Sequence, residues 1–109
     1  MYLFGASGHG KVIKEILEAE GVEVKAFADD DKAVHECAGI PVLHEAESLS
    51  PVIISIGANR IRKMIVERMK SSDESVKFGI AVHPTAVVSP SAKIGEGTVV
   101  MAGAVINAD

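Results

Sequence analysis

The sequence predicts an α/β protein: a Rossmann-like parallel-sheet domain followed by the truncated start of a left-handed parallel β-helix. Three observations carry that expectation. A short apolar segment, Tyr2-Leu3-Phe4, runs into the glycine-rich stretch Gly5-Ala6-Ser7-Gly8-His9-Gly10 and then into a segment of helical periodicity. A second strand and helix follow, giving the β-α-β, β-α-β order from which a parallel, three-layer sheet is the economical solution. Finally, Val82, Val88, Ile94, Val100 and Ile106 recur every six residues, as the inward-stacking aliphatics of a parallel β-helix do.

Taken in order, Tyr2-Leu3-Phe4 reads as the first strand and Lys11 to Glu20 as the first helix, with Val12, Ile13, Ile16 and Leu17 on its inward face. Gly21 suits the C-terminal end of that helix. Val22 to Ala28 alternates like a half-buried strand and ends before Asp29-Asp30-Asp31. Lys32 to Ser50 reads as irregular, with Gly39 to Leu43 as a short edge strand that tolerates Pro41. The continuous apolar run Val52 to Ile56 predicts a central strand buried on both faces. Asn59 is placed to cap the next helix, whose inward face is Ile61, Met64, Ile65, Arg68 and Met69, with Arg68 interrupting the apolar stripe. Val76 to Val82 reads as a last strand, so the domains are expected at 1–83 and 84–109.

Composition narrows the function. With 109 residues, 48% of them apolar, the chain has room for one compact domain plus an appendage. Fifteen acidic and eleven basic residues give a formal charge of −4, and no basic stripe suits nucleic acid. Cys37 is the single cysteine, and the N-terminus lacks a signal-peptide n-region, so the expected location is cytoplasmic. No apolar run reaches the roughly 20 residues of a membrane span, and neither a metal cluster nor a Ser-His-Asp constellation is evident.

A glycine stretch between strand and helix suits a phosphate, because backbone N–H groups and the helix dipole converge there. Its spacing is G-x-x-G-x-G, not the G-x-G-x-x-G of dinucleotide sites, so it points to a nucleotide without specifying NAD. Ser7 either meets the ligand or caps the helix. His9 is the histidine best placed to meet a ligand; His35 and His44 read as surface residues and His83 as a structural hydrogen-bonding group. Asp29 and Asp30 follow the second strand, where a doubly wound fold places a nucleotide-binding acid; a solvated acidic turn is the alternative. Gly57, Ala58 and Asn59 follow the third strand and converge on the same crevice.

These motifs, with Ile56-Gly57-Ala58-Asn59-Arg60-Ile61-Arg62 and His83-Pro84-Thr85-Ala86, together resemble the hexapeptide-repeat sugar acyltransferases, among them the sialic acid O-acetyltransferases and bacillosamine-pathway N-acetyltransferases. The resemblance implies a domain holding a nucleotide-linked sugar, expected to be a UDP-sugar. Ser7, Gly8 and His9 would lie near the phosphates and sugar, with Gly5 and Gly10 shaping the phosphate loop. Asp29 and Asp30 would lie near the base, and Gly57 and Asn59 would complete the pocket. It further implies acetyl-CoA as co-substrate, no metal, a homotrimer, and a catalytic histidine beyond Asp109, so that this chain alone is expected to be inactive. The competing readings are a free-standing NAD-binding or sensing module and a structural domain in which the glycine stretch is merely a turn.

Overall fold

A computed structural model describes residues 1–44 and 49–106. Residues 45–48, within the stretch read as irregular, and 107–109, within the expected β-helix, lie outside the described residues. The elements are β1 (Tyr2–Phe4), α1 (Gly8–Ala19), β2 (Ala26–Ala28), β3 (Glu36–Cys37), β4 (Ile40–Leu43), β5 (Val52–Ile54), α2 (Asn59–Ser72), β6 (Ala81–Val82), β7 (Val87–Val88), β8 (Val99–Val100) and β9 (Val105–Ile106). The main sheet runs β3-β4-β2-β1-β5, parallel except for the antiparallel edge strand β3.

Strand alternation divides the core into two layers. Leu3, Phe27 and Ile53 point to the α1 side, where they meet Ile13, Ile16 and Leu17. Phe4, Ala28, Val52 and Ile54 point to the α2 side, against Ile65 and Met69. The sheet is therefore covered on both faces, as a parallel sheet requires.

Several expectations are corrected. The first helix begins at Gly8, so half of the glycine stretch is helix and not loop. Val12 is exposed and Gly10 takes its place on the buried face of α1. The second strand is shorter: Gly21 adopts φ 81° and Val22 N–H still bonds to Leu17 O, so the helix end consumes the first residues of the alternating run. The segment Ile40–Leu43 is not an edge strand, since β3 covers it. Pro41 is tolerated because Val42 N–H donates to His35 O on the β3 side. That turns the missing N–H of Pro41 towards β2, before pairing with β2 begins at Val42. The Val52–Ile54 strand is at the end of the main sheet, not its centre, extended only by one parallel bridge from Val52 to Phe78. Of the strand expected over Val76 to Val82, only Ala81–Val82 forms, and it pairs with β8. On α2, Ile61 and Met64 are exposed, leaving Ile65 and Met69 inside.

The hexads form coils. Ala81 and Val82 pair in parallel with Val99 and Val100, and Val87 and Val88 with Val105 and Ile106, each partner eighteen residues on. Three hexads thus make one turn, with two of its faces present as β6/β8 and β7/β9. Ala81 is fully buried in the α1 cluster and Val99 packs against it, so the coil's first face rests on the α/β domain.

Two substitutions check this packing by chemical denaturation. A Cβ on Gly10 would lie 2.3 Å from Gly5 O and 2.9 Å from the Phe27 ring, so Gly10→Ala is expected to cost roughly 3 kcal/mol despite its better helix propensity. Ser55→Ala, which leaves the Gly5 carbonyl without its hydroxyl donor, is expected to cost about 1–2 kcal/mol. An unchanged midpoint in either variant would contradict the close approach described.

Candidate functional site

The carboxyl ends of β1, β2 and β5 meet at the turn Gly5-Ala6-Ser7. Gly5 N–H donates to Ala28 O at 2.7 Å, and Ser55 N–H to Phe4 O at 2.8 Å. Gly5 adopts φ +125°, and a Cβ there would sit 2.7 Å from Ser55 O, so only glycine fits. The buried hydroxyl of Ser55 reaches both Gly5 O (2.8 Å) and Phe4 O (3.0 Å). Asp29 completes the frame: its Oδ2 accepts from Ala6 N–H and its Oδ1 from Asp31 N–H, both at 2.9 Å.

Above this frame stands the N-terminus of α1. Ser7 is the N-cap residue by backbone geometry, but its side chain makes no capping bond, and the first turn carries no acidic side chain. The first helical bond in this turn is Lys11 N–H to Ser7 O at 3.0 Å. The amides of Gly8, His9 and Gly10 therefore have no partner within the helix. Ser7 and Gly8 are exposed, His9 is half-buried, and a Cβ on Gly8 or Gly57 would meet nothing within 4 Å. Such a terminus is suited to an anion.

Asp30 is committed differently from Asp29. Its two carboxylate oxygens accept from Arg68 at 2.9 and 3.1 Å, and the Arg68 guanidinium lies 5.2 Å from the centre of the Phe4 ring. This accounts for the charge that interrupts the apolar stripe of α2: Arg68 covers the end of β1 with its plane and ties α2 to β2. Asn59 does not cap α2. The N-cap is Ala58, and Asn59 Oδ1 instead accepts from Arg62, which also reaches Ile56 O at 3.5 Å.

Beside this crevice, α2 and the coil enclose a cleft of about 460 Å³, lined by Asn59, Arg62, Lys63, Lys70, Glu67 and Glu96 among others. It adjoins a second hollow of about 410 Å³, where His9 and Arg62 face Glu96, Thr98 and Met101 of the coil. Of the expected site residues, Asn59 lines the first of these hollows and His9 the second. Gly5, Ser7, Gly8, Asp29, Asp30 and Gly57 do not line these hollows; Gly5 and Asp29 build the frame. Sequence reasoning missed Ser55, Arg62, Glu96 and Met101. Only Ser55 carried a signal, as the one polar residue inside an apolar run. His83 is engaged locally, accepting from Thr85 N–H at 3.1 Å through Nδ1. Among the described residues no group of three or more His, Cys, Asp or Glu could hold a metal, and no helix is long and apolar enough to cross a membrane.

Residues 1–69 match the family described as the PglD N-terminal domain. The chain is 39% identical over 110 positions to UDP-N-acetylbacillosamine N-acetyltransferase of Bacillus subtilis, covering 92% of this chain and 50% of that protein. It superposes with a TM-score of 0.87 and 39% identity on a mutant of perosamine N-acetyltransferase from Caulobacter crescentus, solved with CoA and GDP-perosamine. That match covers 99% of this chain and 54% of the other. The acetyltransferase domain of PglB from Neisseria gonorrhoeae, solved with acetyl coenzyme A, matches with a TM-score of 0.78 and 39% identity, over 95% and 53% of the two chains. The chain spans about half the length of these relatives. With the family match extending over more than half of its residues, the chain belongs to the PglD N-terminal domain family.

Proposed function

We propose that this domain binds a nucleotide-linked sugar and that the parent protein transfers an acetyl group from acetyl-CoA to an amino group of that sugar. The observation that carries this reading is the uncapped N-terminus of α1, with exposed Ser7 and Gly8, next to two adjoining hollows, one lined by His9 and Arg62 and the other by Arg62 and Lys63. A diphosphate has the charge for such a site, and the relatives named above are sugar N-acetyltransferases. Ser7, Gly8 and His9 hold the phosphates, with Gly5 and Gly10 shaping the turn; Asp29 and Asp30 flank the base, and Gly57 and Asn59 close the far side.

Acetyl-CoA supplies the acyl group as a thioester. The residues of this chain bind and orient the acceptor sugar, and they are not assigned to proton abstraction, since His83 is held by Thr85. The general base belongs to a later part of the parent protein. The parent protein assembles as a homotrimer. Val87 and Val105, paired in the coil and each 62% exposed, offer an outward apolar face for that association.

The preferred ligand is a UDP-amino sugar, with a GDP-amino sugar as the direct competitor because GDP-perosamine occupies a structural relative. Thermal unfolding is expected to show stabilisation of about 2.7 kcal/mol at a hundredfold the dissociation constant of the UDP-sugar, and no effect from NAD or CMP. Stabilisation by NAD alone would replace this reading with a dinucleotide-binding module. A second check uses Gly8, where a side chain has space: Gly8→Leu is expected to change stability by less than about 1 kcal/mol while abolishing the ligand-induced shift. An undiminished shift would remove the α1 N-terminus from the site.

A further inference from the structure

We propose that Glu20, at the opposite end of α1 from the ligand turn, is a positioning residue. By capping the open edge of the coil's first strand, it holds the α/β domain at the angle that presents the bound sugar to the acyl donor. This inference rests on the function proposed above.

Strand β6 is the first rung of the coil, so one edge is paired and the other is open. Ala81 N–H and His83 N–H donate to Thr98 O (3.0 Å) and Val100 O (2.9 Å) of the next turn. Alternation turns Val82 N–H the other way, towards the open edge. There Glu20 Oε1 accepts it at 2.9 Å, across 62 residues of sequence. Glu20 is itself fixed, as the C-cap of α1, by bonds from its own N–H to Ile16 O (3.1 Å) and Leu17 O (3.0 Å). An unsatisfied strand edge invites pairing with other chains, and a carboxylate on its N–H blocks that approach.

The contact has a mechanical consequence. At the far end of α1, His9 faces Thr98 and Met101 of the coil across a hollow, so the helix is bonded to the coil at its Glu20 end and borders it across open space at the other. The buried Ala81 lies in the α1 cluster, and Gly97 N–H donates to Gly79 O at 2.8 Å on the connecting segment. The helix is about 18 Å long. A slight pivot at its Glu20 end would displace the turn that holds the diphosphate by ångströms, and group transfer is sensitive to misplacement on that scale.

The test compares the full-length protein with its Glu20→Ala and Glu20→Gln variants in turnover, in equilibrium binding of a UDP-amino sugar, and in amide hydrogen exchange. For Glu20→Ala, kcat is expected to fall about tenfold while the dissociation constant stays within about twofold. Exchange at Val82 N–H should rise on the order of tenfold, with Ala81 and His83 unchanged. Glu20→Gln keeps an oxygen acceptor and should restore both kcat and protection. Unchanged turnover in Glu20→Ala, a parallel loss of sugar-nucleotide binding, or a Gln variant indistinguishable from Ala would overturn the proposal. If the unsubstituted protein turns over no nucleotide sugar, the proposed function falls, and the exchange comparison, which needs no substrate, still decides whether Glu20 holds the edge.

Discussion

The closeness of α1 to the turn that precedes it governs the carboxyl end of the sheet. The helix enters so near the end of β1 that Gly10 has no room for a side chain between the Gly5 carbonyl and the Phe27 ring. That approach is possible only because Gly5 takes a left-handed φ and because the Gly5 carbonyl, pushed into the interior, finds the Ser55 hydroxyl. Asp29 ties Ala6 from the other side. One short turn is thus held by the ends of three strands, and its rigidity keeps the amides of the first helical turn aimed outward. A loosely held glycine turn would have to be ordered on binding, at an entropic cost that this arrangement has already met in folding.

The two acidic residues after β2 show how neighbouring identical side chains are divided by their partners. Asp29 faces inward to backbone N–H groups and is part of the frame. Asp30 faces Arg68 in a two-point contact at the surface, where the guanidinium also lies over Phe4. Exposed ion pairs of this kind contribute little to stability. The buried Ile65 and Met69 set the side of α2 that faces the sheet, the pair adds a link at its border, and Arg62, Lys63 and Lys70 remain on the side that borders the cleft.

The coil is not a tail hung on a finished domain. Its first face is buried against α1 through Ala81 and Val99, and its residues Glu96, Thr98 and Met101 form one wall of the region where the ligand is proposed to bind. Repeat architectures draw their stability from neighbouring units, and here the α/β domain is the neighbour of the first turn. The parallel offset is eighteen residues on both faces, so the two faces of this turn share one pitch.

Much of this was legible in local pattern. Helical and strand periodicities located both helices and the strands β1, β2 and β5, because burial on two faces leaves a strong apolar signature at Leu3, Phe27 and Val52 to Ile54. The six-residue beat announced the coil because each turn repeats the same inward position. The sequence by itself determined where both helices and most strands lie, though not β3, and that Gly5 to Gly10 would lead from the first strand into the first helix. What only the tertiary structure decided were the partners: that Ser55 serves the Gly5 carbonyl, that Asp29 is consumed by the frame while Asp30 meets Arg68, that Ala81–Val82 joins the coil and not the main sheet, and that Glu20 closes its edge. Those choices depend on contacts between residues about 20 to 60 positions apart. Such pairings are set by how layers pack and leave no periodic trace in the chain.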